Sequence, residues 1–139
     1  VIQQDLNKGL SNFNDQQFDT VIMTQTLQAV RRPDLALAEM LRVGREAVVT
    51  FPNFAYIRNR IQLGLVGHMP VNPQLPNPWY DTPNIHLSTF RDFEELCRTL
   101  SIRILDRDTS NLSGNRTWLG TVWPNLFGEV AVYRLTKES

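Results

Sequence analysis

Two aromatics, a carboxylate, an amide and an imidazole fall within eight consecutive residues, Trp79-Tyr80-Asp81-Thr82-Pro83-Asn84-Ile85-His86. Tyr80, Asp81 and His86 are residue types that move protons once geometry brings them to a reacting group, which makes them the candidate catalytic residues. The same mixture lines small-molecule pockets and anchors protein interfaces. It equally serves to pin a loop, with Trp79 and Tyr80 against the core and Asn84 and His86 satisfying backbone groups. The residues alone leave these three readings open. Other chemistries find less support. His68 and His86 are the only histidines, and no HExxH or paired-cysteine spacing accompanies them, so no metal site is expected. The one cysteine, Cys97, falls on an apolar helical face and reads as a small buried hydrophobe. No GxSxG elbow, phosphate-binding loop or dinucleotide glycine fingerprint occurs.

The elements that must position these groups follow from periodicity. Asp19 to Thr24 and Ala47 to Phe51 are short apolar runs without strict alternation, the pattern of strands buried on both faces of a parallel sheet. Between them Pro33 and Asp34 open a helix, and Leu37, Met40 and Leu41 trace its apolar stripe, widened by Leu35 and Ala38. Gly44 is the expected terminator. Strand, helix and strand make a βαβ unit. A weaker helical pattern runs from Tyr56 to Leu65. Five of the eight prolines then fall between Pro70 and Pro83, so residues 67–88 read as a long proline-rich lid loop. Thr89 and Asp92 predict a capping box ahead of a helix whose face carries Phe93, Leu96, Cys97 and Leu100. Ile102 to Asp106 and Val130 to Leu135 read as strands. No helix can be drawn between them, which predicts an antiparallel pair. The expected fold is α/β, one domain over 1–139, with a mostly parallel sheet and an antiparallel C-terminal strand. Ligands of such sheets sit beyond the strand carboxyl ends, here Asp5, Thr24-Gln25 and Phe51-Pro52-Asn53.

Composition narrows the class further. The chain has 139 residues, 42% hydrophobic and 20% charged, which is the balance of a globular domain. Fourteen basic residues offset fourteen acidic ones, so bulk charge points to neither a nucleic-acid nor a membrane partner. No apolar run approaches the roughly 18 residues of a membrane span, and cytoplasmic residence is the expectation. The chain opens on Val1-Ile2-Gln3-Gln4-Asp5 without an initiator methionine, as a part of a longer protein is expected to.

Three sets of residues carry a family resemblance. Phe18 to Gln28, Glu39-Met40-Leu41-Arg42-Val43-Gly44 and Ala47 to Phe51 resemble the fourth and fifth strands of class I S-adenosylmethionine-dependent methyltransferases, a three-layer Rossmann-like fold. Gln25-Thr26-Leu27-Gln28-Ala29 with Arg31-Arg32-Pro33, Phe51-Pro52-Asn53-Phe54, and Trp79 to Leu87 together resemble the MetW family of methionine biosynthesis. The resemblance implies that Val1 to Leu6 end the third strand, with Asp5 approaching the adenine of S-adenosylmethionine and Leu6 lining its pocket. Thr24 and Gln25 lie beside the cofactor by the same pattern. It also implies that the glycine-rich first loop and the earlier strands lie outside this sequence, so that this chain by itself is expected to hold no S-adenosylmethionine. A free strand edge can then pair two copies into a homodimer. The implied function is support of homoserine O-acetyltransferase, through protein–protein contact, by a methyltransferase-fold accessory protein. The alternative is an active methyltransferase acting on an unidentified small molecule. Trp79, Tyr80, Arg58 and Arg60 are the expected interface residues.

Overall fold

In the computed structural model, residues 9–73, 75–111 and 118–138 are described. Asp5 and Leu6, and the third-strand expectation for Val1 to Leu6, lie outside them.

Four strands form one open, mixed sheet. They are β1 (Phe18–Thr24), β2 (Gly44–Pro52), β3 (Ile102–Ser110) and β4 (Val130–Lys137), in the order β1-β2-β4-β3. β1 and β2 run parallel, with Val21 opposite Ala47 and Met23 opposite Val49. β4 is antiparallel to both of its neighbours, pairing Tyr133 with Val49 on one side and with Arg107 on the other. The helix between β1 and β2 is α1 (Pro33–Val43), with Pro33 in its first turn, and α3 (Phe90–Thr99) precedes β3. At α3 the capping box is complete. Thr89 Oγ1 accepts from Asp92 N (3.2 Å), and Asp92 Oδ2 accepts from Thr89 N (3.0 Å).

The core lies on one face of the sheet. Met23, Val49, Phe51, Tyr133 and Leu135 meet Leu37, Met40 and Leu41 of α1, and Phe90, Phe93 and Cys97 of α3. β1 and β2 therefore alternate instead of burying both faces. Met23 is buried while Ile22 is 67% exposed, because α1 and α3 pack against only one side. The apolar stripe of α1 also differs from expectation. Leu35 and Ala38 face solvent, and Ala36 and Val43 are buried in their place. Gly44 caps the end of α1, as expected of a terminator. Its backbone is extended (φ −120°), and a Cβ there would stand 2.6 Å from Val21 Cγ2, so glycine is needed for close approach to β1.

Two further differences concern helices. The Tyr56–Leu65 pattern forms α2 (Ile57–Ile61) and then widens into a π turn (Gln62–Val66). Gly67, at φ 78°, closes that turn in the left-handed region open to glycine. Between β3 and β4 stand two short helices, α4 (Trp118–Val122) and α5 (Pro124–Phe127). They escaped the sequence reading because each is only one turn or so long, below the length at which a helical period can register.

Candidate functional site

The carboxyl end of β2 runs into a buried amide network that holds the proline-rich segment. Asn53 is fully buried and spends its whole carboxamide on backbone. Its Nδ2 donates to the Gly128 carbonyl (2.8 Å) and to those of Asn125 (3.1 Å) and Pro124 (3.3 Å), and its Oδ1 accepts from Ala55 N (3.1 Å). Asn59 of α2, also buried, donates from Nδ2 to the Asn53 carbonyl (3.4 Å) and accepts from Asn72 Nδ2 (2.7 Å). Asn72 Oδ1 in turn accepts from Leu75 N (3.0 Å), across a small antiparallel bridge between the two residues. Gln62 of the π turn adds a bond from Nε2 to the Val71 carbonyl (3.2 Å). Burial satisfied in this way fixes one arrangement of the loop, since each amide left unpaired carries a desolvation penalty.

What the network holds in place is a cavity of about 540 Å³, walled by Phe54 just beyond β2 and by Met69, Leu75, Trp79, Ile85 and Leu87. Its polar lining comes from Asn77, Tyr80, Thr82 and Asn84, and among the described residues no carboxylate or cationic side chain lines it. Trp79 and Tyr80 stand edge to face, with ring centroids 5.7 Å apart, and both are 74% exposed at its rim. They do not pin the segment to the core. That task falls to the asparagines and to Phe54 N, which donates to the Ser88 carbonyl (3.0 Å). Asn59 and Asn72 are not among the residues the sequence singles out, and Asn53 is singled out only as the carboxyl end of β2. The helical period does not mark Asn59, which stands two positions from Ile57 and from Ile61 and so on the other side of the helix from both.

The proposed proton-handling residues separate in space. Tyr80 lies on the large cavity. Asp81 is exposed, and its backbone N–H donates to the Pro78 carbonyl (3.1 Å). His86 borders a second, smaller cavity of about 200 Å³ that Gln28, Asp92 and Phe93 also line. There the His86 backbone N–H donates to the Gln28 carbonyl (2.9 Å). Its Nε2 donates to the Arg31 carbonyl (3.0 Å), which leaves Nδ1 as the ring acceptor. Gln28 is buried, donates from Nε2 to the Gln25 carbonyl (2.9 Å), and has no partner for Oε1 among the described residues.

Thr24 and Gln25 sit exposed at the carboxyl end of β1. Gln25 adopts φ 51°, a left-handed conformation uncommon for a residue with a Cβ. Its N–H is held by the Thr50 hydroxyl (2.9 Å) and the Thr50 carbonyl (3.1 Å). Neither residue lines either cavity. Thr24 and Gln25 thus offer one open wall and not an enclosure for a cofactor, so the described residues by themselves do not fit S-adenosylmethionine. Among the described residues no group of three or more His, Cys, Asp and Glu is placed to hold a metal. No helix there is long and apolar enough to cross a membrane.

The outer shell is braced by ionisable pairs on the far elements. Glu94 of α3 accepts from the Tyr133 hydroxyl (2.8 Å) and from Arg107 Nη1 (2.7 Å). Burial, then the Glu94 bond, holds the Tyr133 phenol far above its ordinary pKa. At the start of α2, burial and the Glu129 carboxylate likewise raise that of Tyr56.

This sheet order, with its inserted antiparallel strand, is that of a methyltransferase-like α/β fold. A SAM-dependent methyltransferase from Archaeoglobus fulgidus superposes with a TM-score of 0.60 at 13% identity, covering 99% of this chain and 67% of that one. Another, from Thermotoga maritima, gives 0.59 at 17% identity, covering 95% of this chain and 61% of that one. At such identities the likeness is one of fold. The family described as methionine biosynthesis protein MetW matches residues 1–135, and the chain belongs to that family. It is 38% identical over 140 residues to the bifunctional methionine biosynthesis protein MetXA/MetW of Rhodopirellula baltica. The match covers the whole of this chain and 22% of that protein's length.

Proposed function

We propose that this chain is a methyltransferase-fold accessory protein of methionine biosynthesis that docks on homoserine O-acetyltransferase and supports the acylation of homoserine. The observation that carries the reading is the Rhodopirellula baltica relative, which unites MetW with MetXA in one bifunctional polypeptide. We take MetXA to be the acyltransferase partner expected from the sequence. Tethering raises the effective concentration of two modules that work side by side.

An exposed apolar ridge supports the same reading. Leu65 is 83% and Val66 62% exposed on the π turn, close in sequence to Met69 and Val71, which are also exposed. Apolar surface of this kind, flanked by the exposed Arg58 and Arg60, has the composition of a protein-binding face. Residence with the partner in the cytoplasm belongs to this proposal. So does S-adenosylmethionine as a ligand of the complete family fold and not of this chain alone. Pairing of two copies through the edge of β1, which has no neighbour on its outer side among the described residues, is a further assembly to be read from the same samples by light scattering.

The second reading is methyl transfer to a small molecule, favoured by the cavity beyond β2. Within it Tyr80 is the group best placed to meet an acceptor, with Asp81 and His86 as the further proton-handling candidates. The full-length protein, the acyltransferase and labelled S-adenosylmethionine separate the two. Faster acetylation of homoserine without label transfer, lost in Leu65→Asp, supports the accessory role. Transfer of label with no effect on acetylation overturns it.

A further inference from the structure

We infer that the cavity under the proline-rich segment is a binding site for a small uncharged molecule with an aromatic or apolar body and one edge carrying both a hydrogen-bond donor and an acceptor. A primary carboxamide or a neutral nitrogen heterocycle has this chemistry.

Three observations converge on it. The volume, about 540 Å³, lies in the range of small-molecule sites. The walls are apolar and aromatic, and no charged side chain among the described residues lines them, so a carboxylate or ammonium entering would lose water without gaining a counter-ion there. Finally, Asn77 and Asn84 both line the cavity, and neither carboxamide has a hydrogen-bond partner among the described residues. The other asparagines of the region are spent on the network that holds the segment, whereas these two each present a donor beside an acceptor. Such a group matches an edge of the same kind in a ligand, with Trp79 to cover its flat face. Homoserine, a zwitterion, does not meet this description. The inference therefore stands apart from the partner reading and holds or fails without it.

The test uses an isosteric pair, benzamide and benzoate, titrated into the full chain while the Trp79 indole N–H resonance is followed by NMR. Trp79→Phe identifies that signal among the three tryptophans. Benzamide is expected to shift it saturably, with a Kd of the order of a few mM, as suits a fragment of this size. Benzoate is expected to bind at least about tenfold more weakly. The Asn77→Ala, Asn84→Ala double variant should keep its melting temperature and lose the benzamide response. Equal or tighter binding of benzoate, no saturable shift with either compound, or an undiminished benzamide response in the double variant each overturns the inference.

Discussion

Asn72 donates to the buried Oδ1 of Asn59 at 2.7 Å, and this bond ties the proline-rich segment to the helix that leaves the central sheet. Asn59 in turn reaches the backbone of Asn53, whose own amide seals the turn before β4. Three side chains of one type thus connect the carboxyl end of β2, the helix α2 and the wall of the larger cavity.

Removing the last of them takes a 2.7 Å donor away from the buried Asn59 Oδ1. Asn72→Ala is expected to cost about 1–3 kcal/mol in urea unfolding. It should also release the Leu75 wall, seen as a change in Trp79 emission in a Trp118→Phe, Trp123→Phe background. Asn53→Ala, which removes a buried amide donor from three carbonyls together, is expected to cost about 3 kcal/mol or more. A surface-like loss below about 0.5 kcal/mol in either variant contradicts the network.

Gln25 holds a left-handed backbone at the end of β1, where glycine would sit without strain. Gln25→Gly is therefore expected to raise stability by about 1 kcal/mol in the same unfolding assay. A gain of that sign indicates that the glutamine is kept for something it touches in function. A loss shows instead that its side chain supports the fold.

Cys97 is buried against the sheet, and burial, followed by the Glu94 charge, pushes its thiol up to about 12. The native protein should resist iodoacetamide at about pH 8 and react fully once unfolded. The sign of the pH dependence follows. Above the ordinary value of 9.0 the unfolded chain loses the thiol proton and the folded chain keeps it, so stability falls as the pH rises through that value. Cys97→Ala should abolish this alkaline component, measured as the slope of the unfolding free energy against pH.

Glu39 grips Arg42 through both oxygens (2.8 and 3.0 Å), and that bond holds its carboxyl below the ordinary 4.5. A depressed carboxyl contributes stability above its unfolded value and loses the contribution as the pH falls through the folded one. Wild type should therefore exceed Glu39→Gln in stability near neutrality, and the gap should close on acidification below 4.5. A gap that stays constant with pH would show that the charge is not its source.

The sequence by itself determined what depends on neighbours along the chain. The capping box of Thr89 and Asp92, the stripe of Phe93 and Cys97, and Pro33 at the head of α1 are written at spacings of three and four residues. The apolar runs at β1 and β2, and the family strings around Gln25, Phe51 and Trp79, were legible for the same reason. Only the tertiary structure decided that β4 inserts between β2 and β3, that Leu35 faces water while Ala36 is buried, and that Gly44 exists for the approach of Val21. It also parted His86 from Tyr80 and gave the cavity to asparagines. Asn53 and Gly128 meet across 75 positions of sequence. An asparagine's amide bonds equally well to water, a turn or a distant carbonyl, so its type records no partner until the chain has folded.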